Sequence, residues 1–147
     1  MTRLMLLNDL FVVDDWQPGE GTQPGVRTLT AAVHLRFPHP IFDGHFPGRP
    51  VLPGACLVQL VAELAASVAG GEVRLIHAGQ IKFISMIDPL RTGTIVMTLT
   101  GKEQGAGEWQ ITAGGIIAGG ATAGGITAGS AAAGATFFRF KGVFRGE

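Results

Sequence analysis

The chain has 147 residues, of which 46% are hydrophobic and 15% charged, and its formal net charge at pH 7 is zero. This length suits one domain with a core of its own. The balanced charge, the 7% aromatic content and the absence of tyrosine argue against a nucleic-acid-binding protein. A single cysteine, Cys56, allows no intrachain disulfide, and no apolar run reaches the length of a membrane span. We therefore expect a cytoplasmic protein with no signal peptide, and the low charge indicates that a partner subunit covers part of its surface.

In chain order, the first segments predict strands separated by turns. Residues 4–14 are apolar and predict a strand, or a helical turn that leads into one. Residues 17–25 contain two Pro-Gly pairs and predict a loop. Residues 26–37 alternate loosely between apolar and polar side chains, which predicts a strand, and residues 38–53 form a loop interrupted by prolines.

The next segment predicts one long buried helix over residues 54–69, which Gly70 and Gly71 end. Its side chains are apolar on nearly all sides, and Gln59, Glu63 and Ser67 form a single polar stripe. Beyond it, strands are predicted over 73–86, 93–102, from 109 onward and over 136–144. One buried helix among five or six long antiparallel strands predicts an α+β fold.

The most informative segment lies just before this helix. Residues 45–54 read His-Phe-Pro-Gly-Arg-Pro-Val-Leu-Pro-Gly. Three prolines and two glycines restrict the backbone, with one imidazole at the front, and Pro53 and Gly54 open the helix. The pattern places a proton-transfer group beside a helix N-terminus, whose N–H groups can receive developing negative charge.

These residues resemble the signature of the β-hydroxyacyl-ACP dehydratases of the FabZ and FabA type, which have the hotdog fold. The resemblance continues into Ala55 to Gln59, and it includes the lead-in from His39 to Gly44 and the later Ile81-Lys82-Phe83. It covers about residues 1–110 and resumes at 136–145. It implies a single hotdog domain over residues 1–147, in which an antiparallel sheet wraps around the helix.

The resemblance also implies a reaction, which is the dehydration of a 3-hydroxyacyl thioester to a trans-2-enoyl thioester. His45 is then the general base, Gly54 the backbone donor to the thioester carbonyl, and Phe46, Val51 and Pro53 contact the substrate. The substrate arrives on the phosphopantetheine arm of an acyl carrier protein, and no metal or other cofactor is needed. The family acts as a homodimer or a multiple of dimers, with the base and the acid from different subunits.

The chain departs from the family pattern at the acid. Fourteen positions after His45 stands Gln59, which is an amide, and Glu63 follows four residues later. Positions i and i+4 lie on one helix face, so Glu63 either reaches the same cavity from one turn deeper or is too distant. We expect Glu63 to be the general acid, assisted by Gln59, which requires a carboxyl whose pKa is raised by an apolar pocket. The competing interpretation is a glutamate that faces solvent or a partner subunit.

Two other functions stay open at this point. A hotdog thioesterase would use Glu63 to activate water without His45, and a catalytically inactive subunit would only bind acyl carrier protein. Basic residues suited to an acidic carrier crowd the last strand, at Arg139, Lys141 and Arg145. Cys56 is expected to be a core residue, and the histidines match no standard metal-ligand spacing.

Residues 112–136 form a Gly/Ala/Thr-rich five-residue repeat. An odd period reverses the inside and outside faces of a strand at each copy, so no single register suits all of them. We interpret the repeat as an expansion that lengthens a hairpin or its loop.

Overall fold

The computed structural model describes residues 9–21, 23–43, 48, 50–119 and 134–146, apart from the side chains of residues 15 and 16. These residues form six β-strands, one α-helix and one turn of 3₁₀-helix. The strands are β1 (Phe11–Glu20), β2 (Val26–Leu35), β3 (Val73–Phe83), β4 (Thr94–Gly105), β5 (Glu108–Gly119) and β6 (Thr136–Gly146). The helix α1 spans Gly54–Ala69, and the 3₁₀ turn spans Pro40–Phe42.

The six strands form one sheet with the order β1-β2-β4-β5-β6-β3. Every neighbouring pair is antiparallel. Strand β3 follows the helix in sequence but lies at the far edge of the sheet, where it pairs with β6. Strand β1 forms the opposite edge.

The core lies between one face of this sheet and α1. Alternate residues of β2 and β4 point inward, because side chains on a strand alternate between its two faces. The buried members on these two strands are Leu29, Ala31, Val33, Ile95, Met97 and Leu99. The helix contributes Leu57, Leu60, Val61, Leu64 and Val68. A sheet curled around one buried helix confirms the predicted α+β hotdog fold.

The helix begins and ends where its sequence predicts. Pro53 is the N-cap residue, and Gly70 follows the last helical residue with φ of 82°, a left-handed conformation that favours glycine. The N–H groups of Gly70 and Gly71 both donate to the carbonyl of Ala66, at 2.9 and 3.0 Å. Both bonds thus go to one carbonyl near the end of the helix, where carbonyl groups begin to lack partners.

Strand β1 differs from the sequence-based expectation. Residues 17–20 were predicted as loop, but they continue β1, and Pro18 lies opposite Leu29 of β2. The prediction was wrong because Pro18 occupies an edge strand, where a residue without an N–H group is tolerated. Strand β4 also extends three residues beyond its predicted end, as far as Gly105.

The first part of the glycine repeat belongs to the sheet. Residues 112–119 lie in β5, and Thr136 begins β6. Residues 120–133 lie outside the described residues, so their predicted role as a hairpin extension stays a prediction. Within the part of the chain that the structure describes, no helix is long and apolar enough to cross a membrane.

Candidate active site

The N-terminus of α1 carries backbone N–H donors that no side-chain cap satisfies. Pro53 has an extended backbone with φ of −63° and ψ of 139°, and no side chain caps the helix. The N–H of Cys56 donates to the Pro53 carbonyl at 3.0 Å. The first N–H groups of a helix lack acceptors within the helix and carry partial positive charge. The first turn of α1 therefore offers donors of the kind that a developing oxyanion needs.

The ring of Phe83 lies against Gly54. A β-carbon built on Gly54 would lie 2.7 Å from Cζ and 2.9 Å from Cε1 of this ring. Phe83 ends β3 and is 52% exposed, and its ring centroid lies 5.5 Å from that of Phe138 in β6. A half-exposed aromatic side chain thus borders the start of the helix. The sequence placed Phe83 on a strand but gave no sign of this contact.

The two polar residues in the middle of α1 contact each other. The amide Nε2 of Gln59 donates to Oε2 of Glu63 at 3.0 Å. Glu63 is only 2% exposed, although the exposed Ser67 lies on the same polar stripe. The interpretation of Glu63 as a glutamate that faces solvent is therefore wrong for the single chain, and its alternative, a glutamate that faces a partner subunit, stays a prediction. A buried carboxyl held by a neighbouring amide has a defined orientation, which proton transfer requires.

Gln59 and Glu63 lie at different distances from the N-terminus of α1. At a rise of about 1.5 Å per residue, Gln59 lies roughly 7.5 Å beyond Gly54 and Glu63 roughly 13.5 Å beyond it. The carboxyl thus lies about one helical turn deeper than the amide. The hydrogen bond thus joins Gln59, at the position of the family acid, to Glu63, which carries the carboxyl in this chain.

The segment that leads to His45 is fixed at its beginning. His39 caps the 3₁₀ turn, because its Nδ1 accepts a hydrogen bond from the Ile41 N–H at 3.1 Å. Its Nε2 therefore carries the proton, and it contacts Oδ2 of Asp9 at 3.1 Å. The turn is anchored by Phe42, which is 4% exposed. His39 thus has a structural role that spacing alone could not assign.

The structure describes only some of the other predicted site residues. His45 and Phe46 lie outside the described residues. Val51 and Pro53 are half-buried, and between them Leu52 is buried, with its N–H donating to the Ile87 carbonyl at 2.8 Å. The structure therefore holds the end of the proline-rich segment against the residues that follow β3.

Cys56 is a core residue, as predicted. Its side chain is 7% exposed, and burial raises the pKa of its thiol. A raised pKa lowers the fraction of reactive thiolate, which does not suit a nucleophile. Among the described residues, no group of three or more histidine, cysteine or acidic side chains could hold a metal ion.

The fold and this helix define a hotdog domain whose helix has no side-chain cap at its N-terminus and carries a buried carboxyl. Residues 21–120 match the sequence profile of the ApeI-like family, the ApeI dehydratases. Because this match covers more than half of the chain, the protein belongs to the ApeI-like dehydratase family.

Curated relatives agree with this family. The chain is 32% identical over 63 residues to the 3-hydroxyacyl-[acyl-carrier-protein] dehydratase FabZ of Proteus mirabilis, and 30% identical over 63 residues to that of Pectobacterium atrosepticum. Each match covers 43% of this chain and 42% of the relative. The chain therefore spans less than half the length of these relatives.

A solved structure supports the fold. A crystal structure of an uncharacterized protein from Erwinia carotovora subsp. atroseptica superposes with a TM-score of 0.61. The match covers 92% of this chain and 94% of that one, at 19% sequence identity. At this identity the similarity establishes the shared fold alone.

Proposed function

We propose that the protein dehydrates a 3-hydroxyacyl thioester to a trans-2-enoyl thioester in the synthesis of fatty-acid or related acyl chains. The observation that carries this proposal is Glu63, a carboxyl that is 2% exposed on the helix of a dehydratase-family domain and is oriented by Gln59. Family membership gives the class of reaction. The buried carboxyl supplies the acid that is missing at residue 59.

The proposed chemistry needs two proton transfers. His45 removes the proton from C2, and the electron pair forms the C2–C3 double bond. The C3–O bond breaks, and Glu63 protonates the departing hydroxyl, which leaves as water. The Gly54 N–H binds the thioester oxygen while negative charge develops there, aided by the helix dipole. Phe46, Val51 and Pro53 contact the acyl chain, and the reaction requires no metal or organic cofactor.

The proposed catalytic unit is a homodimer. Strand β3 lies at the sheet edge, and it is followed by exposed apolar side chains, of which Ile84 is 50% and Met86 75% exposed. An unpaired strand edge is a template for pairing with a second chain. In a dimer, His45 of one subunit and Glu63 of the other form one site, so the position of Glu63 relative to its own Gly54 does not limit the reaction.

The proposed substrate carrier is an acyl carrier protein in the cytoplasm. The named activity of the FabZ relatives supports an acyl carrier protein as the donor. The single cysteine fits a reducing compartment.

The test is a mass-spectrometric assay of the purified protein with 3-hydroxyacyl-ACP of several chain lengths. Wild type should release one water from the acyl group, and both His45→Ala and Glu63→Gln should slow this at least about a hundredfold. Ser67→Ala is the matched control, since it alters the same polar stripe at an exposed position, and it should keep wild-type activity.

The same assay separates the other two functions. Free acid released by wild type and by His45→Ala alike would identify a thioesterase. An acyl-ACP that binds without any turnover would identify a binding or assembly subunit. Either result would overturn the proposed dehydration.

A further inference from the structure

The outer face of the sheet, which faces away from α1, carries a groove of about 480 Å³. It crosses β4, β5 and β6 and reaches β3. We call it the outer groove. Its lining includes four threonines and two cations, which are Thr98, Thr100, Thr112, Thr136, Arg139 and Lys141. It is separate from the helix-side candidate active site, because side chains on opposite faces of a strand do not meet.

Strand register places these side chains in two adjacent rows. In the first row, Thr98 lies opposite Gly114, Gly114 opposite Arg139, and Arg139 opposite Lys82. In the second, Thr100 lies opposite Thr112, Thr112 opposite Lys141, and Lys141 opposite Gln80. Directly opposite residues project from the same face with β-carbons about 5 Å apart. Three cations therefore share one small area of the sheet.

The described residues supply no carboxylate to balance the positive charge in this area. Lys82 and Arg139 are like charges directly opposite each other, an arrangement that destabilises a strand pair. Within the described ranges, no carboxylate forms an ion pair with Lys82, Arg139 or Lys141.

Farther along β6 the opposite holds. Arg145 lies opposite Glu108, and its Nε donates to the glutamate carboxylate at 3.2 Å. Strand β6 thus carries Arg145, which is paired with a carboxylate, and two cations, Arg139 and Lys141, that no carboxylate among the described residues pairs with. An anion bound at the outer groove would remove the repulsion between Lys82 and Arg139.

Gly114 gives the outer groove its depth. A β-carbon built on Gly114 would meet no atom within 4 Å. The glycine therefore leaves open space between Thr98 and Arg139 rather than serving close packing. Threonine hydroxyls border this space on one side and guanidinium and ammonium groups on the other. Ile116 adds an apolar end to the lining.

We propose that the outer groove binds the phosphate group of a phosphorylated small molecule. Arginine and lysine form charge-assisted hydrogen bonds to phosphate oxygens, and the hydroxyls of Thr98 and Thr112 donate additional ones. The phosphate lies in the space above Gly114, between the threonines and Arg139. The uncharged part of the ligand extends toward Ile116.

The test is an NMR titration of the isotopically labelled full chain with inorganic phosphate, pyrophosphate and glycerol 3-phosphate, each at constant ionic strength. Binding should saturate, and the amides of residues 80–82, 98–100, 112–114 and 139–141 should shift. Arg139→Ala should weaken binding about tenfold or more, because it removes a charge-assisted donor. Gly114→Val should do the same by filling the groove, on a strand where a β-branched residue is well tolerated.

Arg145→Ala is the matched control, because it removes the same charge from the same strand and leaves the groove intact. It should change the affinity by less than about twofold, since screening weakens distant surface charges. Melting temperatures of all three variants should stay near that of wild type. Stronger binding of glycerol 3-phosphate than of inorganic phosphate would support an organic ligand, and equal binding would support free phosphate as the ligand.

Shifts that increase linearly without saturation would overturn the proposal, as would equal losses in Arg139→Ala and Arg145→Ala. So would tight, strongly salt-dependent binding of a DNA duplex with no saturable response to phosphate, because that result would identify a general polyanion surface.

Discussion

The ring of Phe83 occupies the space into which a β-carbon of residue 54 would project, so the end of one edge strand covers the first residue of the only α-helix described. The contact leaves no room for a side chain at residue 54. It joins two residues that are 29 positions apart in the sequence, and it makes the position of Phe83 depend on the absence of a β-carbon.

Gly54→Ala should therefore lower activity without unfolding the protein. The new methyl group displaces the ring, which is half exposed and has space to move, while alanine favours the helix. We expect kcat/KM for dehydration to fall about tenfold, because the displaced ring borders the Gly54 N–H and a small change in geometry around a positioned donor costs catalysis. The melting temperature should stay within a few degrees of wild type.

The double variant Gly54→Ala with Phe83→Leu checks the cause of that loss. Leucine removes the ring atoms that the methyl group meets, so part of the activity should return. Equal activity in the single and double variants would show that the ring has no part in the loss.

Gln59→Glu should make stability depend on pH. It would place a second carboxylate where the Gln59 amide Nε2 now lies, 3.0 Å from Oε2 of Glu63. Two carboxyl groups this close share a proton, so the pKa of the folded pair rises above the value of about 4.3 in the unfolded chain. The folded state then binds more protons than the unfolded state, and stability falls as pH rises through the raised pKa.

Urea unfolding of this variant at pH 5 and pH 8 should differ by about 1–3 kcal/mol more than it does in wild type. Gln59→Leu is the control, because it removes the amide donor without adding a charge. It should lose stability by a similar amount at both pH values. A pH-independent Gln59→Glu variant would mean that the two side chains do not contact each other in solution.

Arg27 should stabilise the far end of the helix. Its Nη1 donates to the Val68 carbonyl at 2.9 Å, and its guanidinium carbon lies 5.1 Å from the centre of the Trp109 ring. A cation at a helix C-terminus and over an aromatic ring is favourable on both counts. Arg27→Ala should lower the free energy of unfolding by about 1–2 kcal/mol, measured by urea denaturation. Arg36→Ala, at an exposed position, should change it by less than about 0.5 kcal/mol.

Cys56 should make the protein less stable in alkaline solution. Burial raises the pKa of its thiol above the value of 9.0 for an unperturbed cysteine. Above that pH the unfolded chain loses the proton first, so stability is complete below about pH 9 and falls as pH rises through the folded pKa. Cys56→Ala should lack this contribution, although the cavity that it leaves lowers stability at all pH values. Parallel alkaline stability curves for the two proteins would contradict the prediction.

Local chemistry explains which parts of the fold could be predicted from the sequence. The helix follows from Pro53 at its start, Gly70 after its end and apolar side chains between them, all of which act over a few residues. The error at Pro18 has the opposite origin. Whether proline ends a strand depends on the strand's place in the sheet, and the order β1-β2-β4-β5-β6-β3 is set by contacts between distant segments.

In the candidate site, too, local contacts could be predicted from the sequence and contacts between distant segments could not. The i, i+4 spacing of Gln59 and Glu63 predicted that they share one face, and their hydrogen bond agrees with that. The contact of Phe83 with Gly54 and the bond between Asp9 and His39 depend on strand register and on chain segments 29 and 30 residues apart. The sequence pattern contains no signal for either, because such contacts are decided only when the sheet has formed.

The pairing of β3 with β6 has a consequence for the synthesis of the protein. The strand made immediately after the helix finds its neighbour in the sheet only when residues 136–146 have been made. Until then β3 has no partner among the described strands, and the inward faces of β3 and α1 lack the phenylalanines of β6 that complete the core. We therefore expect the domain to complete its folding only after β6 has been made, with the nascent chain dependent on protection from aggregation until then.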